Sequence, residues 1–214
     1  MYLEITNLNK EIGKTMILQN INMQMEQGGI YGLMGINGSG KTMIMRCMCG
    51  LVRPTNGSVK INGKELGKDI DFPQSLGALI ENPGFIEHYS AIDNMKALAS
   101  IRKKAGELEI KELLQRVGLD DKDKKKVKKY SLGMRQKLGI AMALLEDPDM
   151  IILDEPFNAL DEKSVEIVKQ IILDAKKRNK LIIISCHNKD DLNQLSDEIY
   201  KIENGHIIDH YEKI

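Results

Sequence analysis

The sequence predicts an α/β fold in which a parallel sheet is split by a helical insertion and preceded by antiparallel strands. Three observations carry that expectation. The apolar runs "GIYGLMG", "DMIILDEP" and "KLIIISCH" read as buried strands, with helix-period segments after the first and between the last two. Repeated strand-helix alternation of this kind builds a parallel sheet. Before and between them, "YLEITNL" and "INMQMEQ" alternate like half-exposed strands, and "GSVKINGKEL" reads as a hairpin turning on Asn62-Gly63. From about Ala91 to Glu146, by contrast, the pattern is helical throughout.

Taken in order, the strand "GIYGLMG" runs into a glycine-rich turn, and "KTMIMRCMCGL" follows as a helix that stops near Gly50 and Pro54. After the hairpin, "SLGALIE" reads as another strand. The segments "AIDNMKALASIRKK", "IKELLQRVGL" and the stretch after Ser131 then read as helices, and "EKSVEIVKQIILDAKKR" is the helix between the last two strands. No internal repeat and no flexible linker interrupts the chain. A single domain over residues 1–214 is expected, with the helical insertion at about 82–146.

At 214 residues, with 42% apolar and 29% charged side chains, the chain is long enough to bury a core and should fold as a soluble globule. Basic and acidic residues balance at 31 each, so no global field draws it to nucleic acid or to an anionic membrane. Anion binding, if present, must be local. The apolar runs fall far short of the roughly 18 residues that a membrane helix requires, and "MYLEITNLNK" lacks the pattern of a secretory signal, so the expected address is the cytoplasm. Cys47, Cys49 and Cys186 have neither metal-ligand spacing nor an even count, and read as small buried hydrophobes. Twelve methionines against three phenylalanines and no tryptophan imply a pliable aliphatic core. The lysine block Lys122 to Lys129 is open to two readings, a nucleic-acid patch or a solvated face; the lack of interleaved aromatics favours the second.

The stretch Gly35, Ile36, Asn37, Gly38, Ser39, Gly40, Lys41, Thr42 fits the pattern G-x-x-x-x-G-K-[ST] in full, between an expected strand and an expected helix. Glycines at 35, 38 and 40 let the backbone curl so that N–H groups point inward. Lys41 can then reach β- and γ-phosphates, and the Thr42 hydroxyl can join a magnesium shell. "MIILDE" supplies a second strand end, where Asp154 would hold the metal and Glu155 would polarise an attacking water. His187, ending "LIIISCH", belongs on the same carboxyl edge and is read as a γ-phosphate contact. A second anion site stands at "YSLGMRQ", where Ser131 can cap a helix start and Gly133 leaves amide N–H groups uncovered.

Together these motifs resemble the nucleotide-binding subunit of an ATP-binding cassette (ABC) transporter, over essentially the whole chain. "GINGSGKT" is similar to its Walker A loop, "YSLGMRQ" to its signature loop, "IILDEP" to Walker B, "NALD" (Asn158 to Asp161) to the D-loop and "SCHN" to the switch-histidine segment. The resemblance implies a P-loop NTPase with a RecA-like core, an N-terminal antiparallel β subdomain and an inserted helical subdomain. It implies ATP and Mg2+, a second nucleotide-binding subunit (identical or different) and a separate transmembrane permease, and no nucleic acid. It also implies that Ser131, Leu132, Gly133 and Met134 act on ATP held by the partner, which gives the second anion site its task.

Departures from the family pattern bear on particular roles. The usual signature Leu-Ser-Gly-Gly-Gln is here Tyr130-Ser131-Leu132-Gly133-Met134. Glu81 stands where the family often has a glutamine that senses magnesium, and is carried over as a metal ligand. Ile12 stands near the position of the aromatic that stacks on adenine, and Met43 replaces a hydroxyl residue after Walker A. "ALIENPGF" with "YSLGMRQKLGIA" is similar to the branch that exports bacitracin and lantibiotics. A non-transport cassette that dimerises on ATP and acts on nucleic acid or ribosomes is the alternative. A small-molecule kinase would leave the signature, D-loop and switch segments unexplained.

Overall fold

The computed structural model describes residues 1–81 and 83–212. Its N-terminal part comprises β1 (Leu3–Ile12), β2 (Thr15–Met25), β3 (Ile30–Met34), α1 (Lys41–Met48), β4 (Asn56–Ile61), β5 (Lys64–Glu65) and β6 (Leu76–Leu79). The helical stretch comprises α2 (Ala91–Arg102), α3 (Glu107–Arg116) and α4 (Leu132–Leu144). The chain then forms β7 (Met150–Asp154), α5 (Glu162–Lys177), β8 (Leu181–Cys186), α6 (Lys189–Leu195), β9 (Glu198–Glu203) and β10 (His206–Glu212). Asn82, where the helical insertion was expected to begin, lies outside the described residues, as do residues 213 and 214.

The strands form two sheets. One has the order β2-β1-β4-β5 and is antiparallel; the other has the order β10-β9-β3-β8-β7-β6 and is parallel except for the edge pair β10 with β9. Asn62 and Gly63 turn between β4 and β5 with φ of 48° and 75°, the positive pair that a tight hairpin needs. Every residue of β7 and β8 is buried, as a continuous apolar run in the middle of a parallel sheet must be. Alternate side chains serve opposite faces. Ile151, Leu153, Ile182 and Ile184 pack with α2 to α5, whereas Met150, Ile152, Leu181 and Ile183 pack with α1 and the antiparallel sheet. Each such side chain contributes about 1.5–3 kcal/mol by burial. Met23, Met25, Met45, Met48 and Met150 sit in the second of these cores, and all three cysteines are free and buried.

One close approach seats a helix on the sheet, and a reciprocal cap fixes the start of another. A Cβ on Gly77 would lie 1.7 Å from the Ala143 carbonyl oxygen, so only glycine lets α4 seat on β6. Helix α2 is fixed at its start by Ser90 and Asp93, each side chain bonding the other's backbone N–H.

The C-terminal hairpin β9–β10 and helix α6 go beyond the elements expected from sequence. Seven-residue β10 shows two neighbouring apolar residues and no clean alternation, and most of it is exposed. Its turn, Asn204-Gly205 (φ 48° and 77°), is nonetheless the same signal as Asn62-Gly63. Strand β2 also begins earlier than expected, at Thr15, because Gly13 (φ 63°) turns the chain back directly after β1.

Candidate functional site

The parallel register gathers the chemistry at one edge. Met34 pairs with Cys186 and Asp154 with Ser185, so the phosphate loop, Glu155 and His187 all leave their strands at the same carboxyl end. The loop curls through Gly38 (φ 81°) and Gly40 (φ 114°) into the start of α1. Its base is braced by the C-terminal hairpin: the Gly205 N–H donates to the Ser39 carbonyl at 2.9 Å, and a Cβ on Gly35 would meet the Ile202 carbonyl oxygen at 2.3 Å.

Within this edge the polar groups are tightly connected. Lys41, 5% exposed, folds its ammonium into the loop and donates to the carbonyls of Gly35 (2.7 Å) and Ile36 (3.1 Å). The Thr42 hydroxyl donates to Asp154 Oδ2 at 2.8 Å, and the Ser185 hydroxyl donates to the other carboxylate oxygen of Asp154. A buried carboxylate is costly unless its oxygens are satisfied, and these two hydroxyls satisfy them. Glu155 adopts φ 49°, a strained value for a residue with a side chain. Its N–H reaches the Ser185 carbonyl (3.2 Å) and hydroxyl (2.9 Å), and its carbonyl accepts from Gln136 Nε2 at 3.0 Å. One carboxylate oxygen of Glu155 meets His187 Nδ1 at 3.0 Å; the other, Oε1, is buried without a hydrogen-bond partner, 4.0 Å from Lys41 Nζ.

These groups border a cavity of about 260 Å³ lined by Ile17, Asn37, Gly38, Gly40, Lys41, Thr42, Met43, Arg46, Glu81, Asp154 and Glu155. Most of the residues expected from sequence therefore meet. Gly35, Ile36 and Ser39 shape the loop without lining the cavity, and His187 stands behind Glu155. Ile12 is not brought to the cavity: it ends β1, 54% exposed, and the apolar wall is supplied by Ile17. Glu81 (φ 57°) does line it, but its carboxylate is engaged by the Arg46 guanidinium at 2.7 Å. Sequence reading left Ile17, Arg46, Gln136 and Ser185 without a role. Gln136 and Ser185 lie inside motifs, yet their bonds are to backbone and buried groups that only the fold brings near.

The residues fit a magnesium nucleotide. Thr42 and Asp154 form a pair of hard oxygen donors suited to Mg2+. At this edge two buried polar atoms, Glu155 Oε1 beside Lys41 and Ser39 Oγ inside the loop, lack hydrogen-bond partners among the described residues.

A second, separate cleft of about 520 Å³ is lined by Ser131, Leu132, Gly133, Met134, Lys137, Ala159, Leu160, Asp161 and Ser164. Ser131 caps α4, its hydroxyl accepting the Met134 N–H at 3.2 Å, and Leu132 is 65% exposed. A Cβ on Gly133 would lie 2.7 Å from the Ala159 carbonyl oxygen, so glycine is needed where the signature and D-loop segments touch. Asp161 caps α5, and the bonds from Ser164 hold its carboxyl below the usual range. Among the described residues, none lines both cavities.

A phosphate loop, a carboxylate-ending strand and a histidine on one sheet edge define a P-loop nucleotide-binding cassette. The solved structures agree on the fold. A dimeric ATP-binding cassette in a post-hydrolysis state with ADP and Pi superposes with TM-score 0.88 at 22% identity, over 98% of each chain. The ATP-binding subunit of an ABC transporter gives TM-score 0.88 at 24% identity, over 99% of this chain and 90% of that one. The family model described as "ABC transporter" matches residues 18–158. Among curated relatives, the ABC transporter ATP-binding protein YybJ of Bacillus subtilis is 47% identical over 96% of this chain and 94% of its own. The lantibiotic transport ATP-binding protein SrtF of Streptococcus pyogenes is 41% identical (96% and 89%), and the bacitracin transport ATP-binding protein BcrA of Bacillus licheniformis 38% identical (97% and 68%). The chain belongs to the ABC transporter family and is one of its ATPases. Among the described residues, no helix is long and apolar enough to cross a membrane.

Proposed function

We propose that this chain is the ATP-hydrolysing subunit of a peptide exporter, working from the cytoplasmic face of the membrane through a separate permease. The observation that carries the reading is the presence in one chain of two clefts, one at the phosphate loop and one at the start of α4, with no described residue in common. A head-to-tail pair of cassettes uses both, the phosphate loop of one copy facing the Ser131 end of α4 in the other. Similarity to the lantibiotic and bacitracin transport proteins supports an antimicrobial peptide as cargo. The division into one nucleotide-binding domain with a helical subdomain near 82–146 belongs to the same reading.

The residues take distinct parts. Lys41 leaves the loop carbonyls to meet the β- and γ-phosphates, and the glycine-rich turn offers its N–H groups to them. Thr42 and Asp154 would hold Mg2+, which supplies charge neutralisation for the phosphoryl oxygens. Glu155 accepts a proton from the attacking water at its unpartnered Oε1, and His187 steadies the carboxylate through the other oxygen. Ser131, with the amide N–H groups of the α4 start, faces the partner's γ-phosphate. Glu81, released from Arg46, adds a carboxylate to the metal side.

The test is co-expression of the chain with candidate permeases in a peptide-sensitive host. Raised resistance to bacitracin or a lantibiotic, abolished by Glu155→Gln, is the expected result. Resistance that survives Glu155→Gln, or a chain that never co-purifies with a membrane protein, contradicts the proposal.

A further inference from the structure

Beside the catalytic acid lies a thiol to which hydrolysis gives no task. Cys186 ends β8, 2% exposed and paired with no other cysteine. One ligand atom each from Cys186, His187 and Glu155 lie within 4.8 Å of one another. Successive residues of a strand point to opposite faces, but His187 follows the last residue of β8, where the chain bends, and its ring returns toward the acid. Burial pushes the Cys186 thiol up to about 11 although the Asn188 N–H donates to the sulfur at 3.3 Å, so metal binding must displace the thiol proton. Sulfur, imidazole and carboxylate together are the donor set of tetrahedral zinc, whereas the oxygens of Thr42 and Asp154 suit magnesium. The edge of the sheet therefore offers two neighbouring metal preferences.

We propose that Glu155, Cys186 and His187 form an inhibitory site for Zn2+ or a similarly thiophilic divalent cation. Coordination is not redox chemistry: the Cys186 S–H bond gives its proton to solvent as the sulfur–metal bond forms, and imidazole and carboxylate donate lone pairs. Ligands about 2.0–2.3 Å from zinc lie roughly 3.5 Å apart, so the three atoms draw inward. The exposed His187 side chain (64%) has the freedom to do so and leaves the fourth position to water. The bound cation takes the carboxylate of Glu155 and replaces its contact with His187. The inhibitory part rests on the hydrolytic roles proposed for those two residues; metal binding itself does not.

The two parts separate experimentally. Equilibrium dialysis of the full, nucleotide-free chain with zinc chloride should give one zinc per chain, and Cys186→Ser should weaken binding by roughly tenfold or more. Cobalt(II) in place of zinc should show a thiolate-to-metal charge-transfer band that Cys186→Ser removes. Cys186→Ser should keep the ATP turnover of the parent protein and lose its inhibition by zinc. Equal zinc affinity in the two proteins, or no cobalt–thiolate band, overturns the site. Zinc held through Cys186 without loss of turnover overturns the inhibition. Cys186-dependent zinc binding in a chain with no turnover supports the site and overturns the hydrolytic reading instead.

Discussion

The phosphate loop and the Ser131 cleft of this molecule are built differently. The phosphate loop is framed on all sides: Lys41 and Asp154 are buried with their charged groups hydrogen-bonded, and the hairpin turn at Gly205 braces the loop from behind. The Ser131 cleft is open, its leading residue Leu132 is exposed, and its hydroxyl is spent on capping its own helix. A site rich in buried partners is preorganised to hold a ligand alone, whereas a bare helix start adds charge stabilisation to a ligand held elsewhere. The difference matches the proposed head-to-tail pairing, in which one chain carries one complete half of a site and one complement to another copy's half. Gln136 joins them, since it leaves the signature helix and bonds the backbone of Glu155.

Substitutions can break this contrast in graded steps. The largest effect is expected for Glu155→Gln, which removes the proposed proton acceptor and should lower ATP turnover by about 10²–10⁴-fold while nucleotide binding persists. Steady-state phosphate release and binding of a fluorescent ATP analogue measure the two. Ser131→Arg should come next, with turnover down by roughly 10–100-fold, in line with a lost charge-stabilising donor. ATP binding at Lys41 should be unchanged in that variant; impaired binding would mean that the two clefts are not independent.

Gln136→Ala sharpens the comparison. It withdraws one hydrogen bond, worth about 1 kcal/mol, from a residue in a strained conformation. We expect kcat to fall about fivefold, as that energy implies, with KM for ATP unchanged. A merely structural role would move thermal stability and leave kcat alone. The smallest effect is expected for Arg46→Met. Its pair with Glu81 is exposed on both sides, so stability should change by no more than about 1 kcal/mol in thermal unfolding.

Much of the parallel core and of the nucleotide cavity was legible in the residues. The runs around Tyr31, Ile152 and Ile183 are short, apolar and bounded by turn signals, as buried strands are, and "GINGSGKT" restricts its backbone through glycine and its chemistry through Lys41 and Thr42. Less legible was whatever depends on one segment reaching another. The stretch "HIIDHYE" became β10 because β9 was there to pair with it, although its own pattern is mixed. Ile12 and Ile17 are both isoleucines at the end of a hairpin, and only the register of β1 against β2 decides which one faces the cavity. Ser185 reads as one more small residue in a buried strand until Asp154 is placed beside it.

The central claim is that two copies close on nucleotide because each supplies what the other lacks. Size-exclusion chromatography with light scattering on the Glu155→Gln protein, with and without MgATP, tests it most directly. The account predicts a monomer that becomes a dimer only with MgATP, and a Ser131→Arg, Glu155→Gln double variant that stays monomeric while still binding ATP. A Glu155→Gln protein that remains monomeric at saturating MgATP, or a double variant that dimerises as readily as the single one, would contradict it.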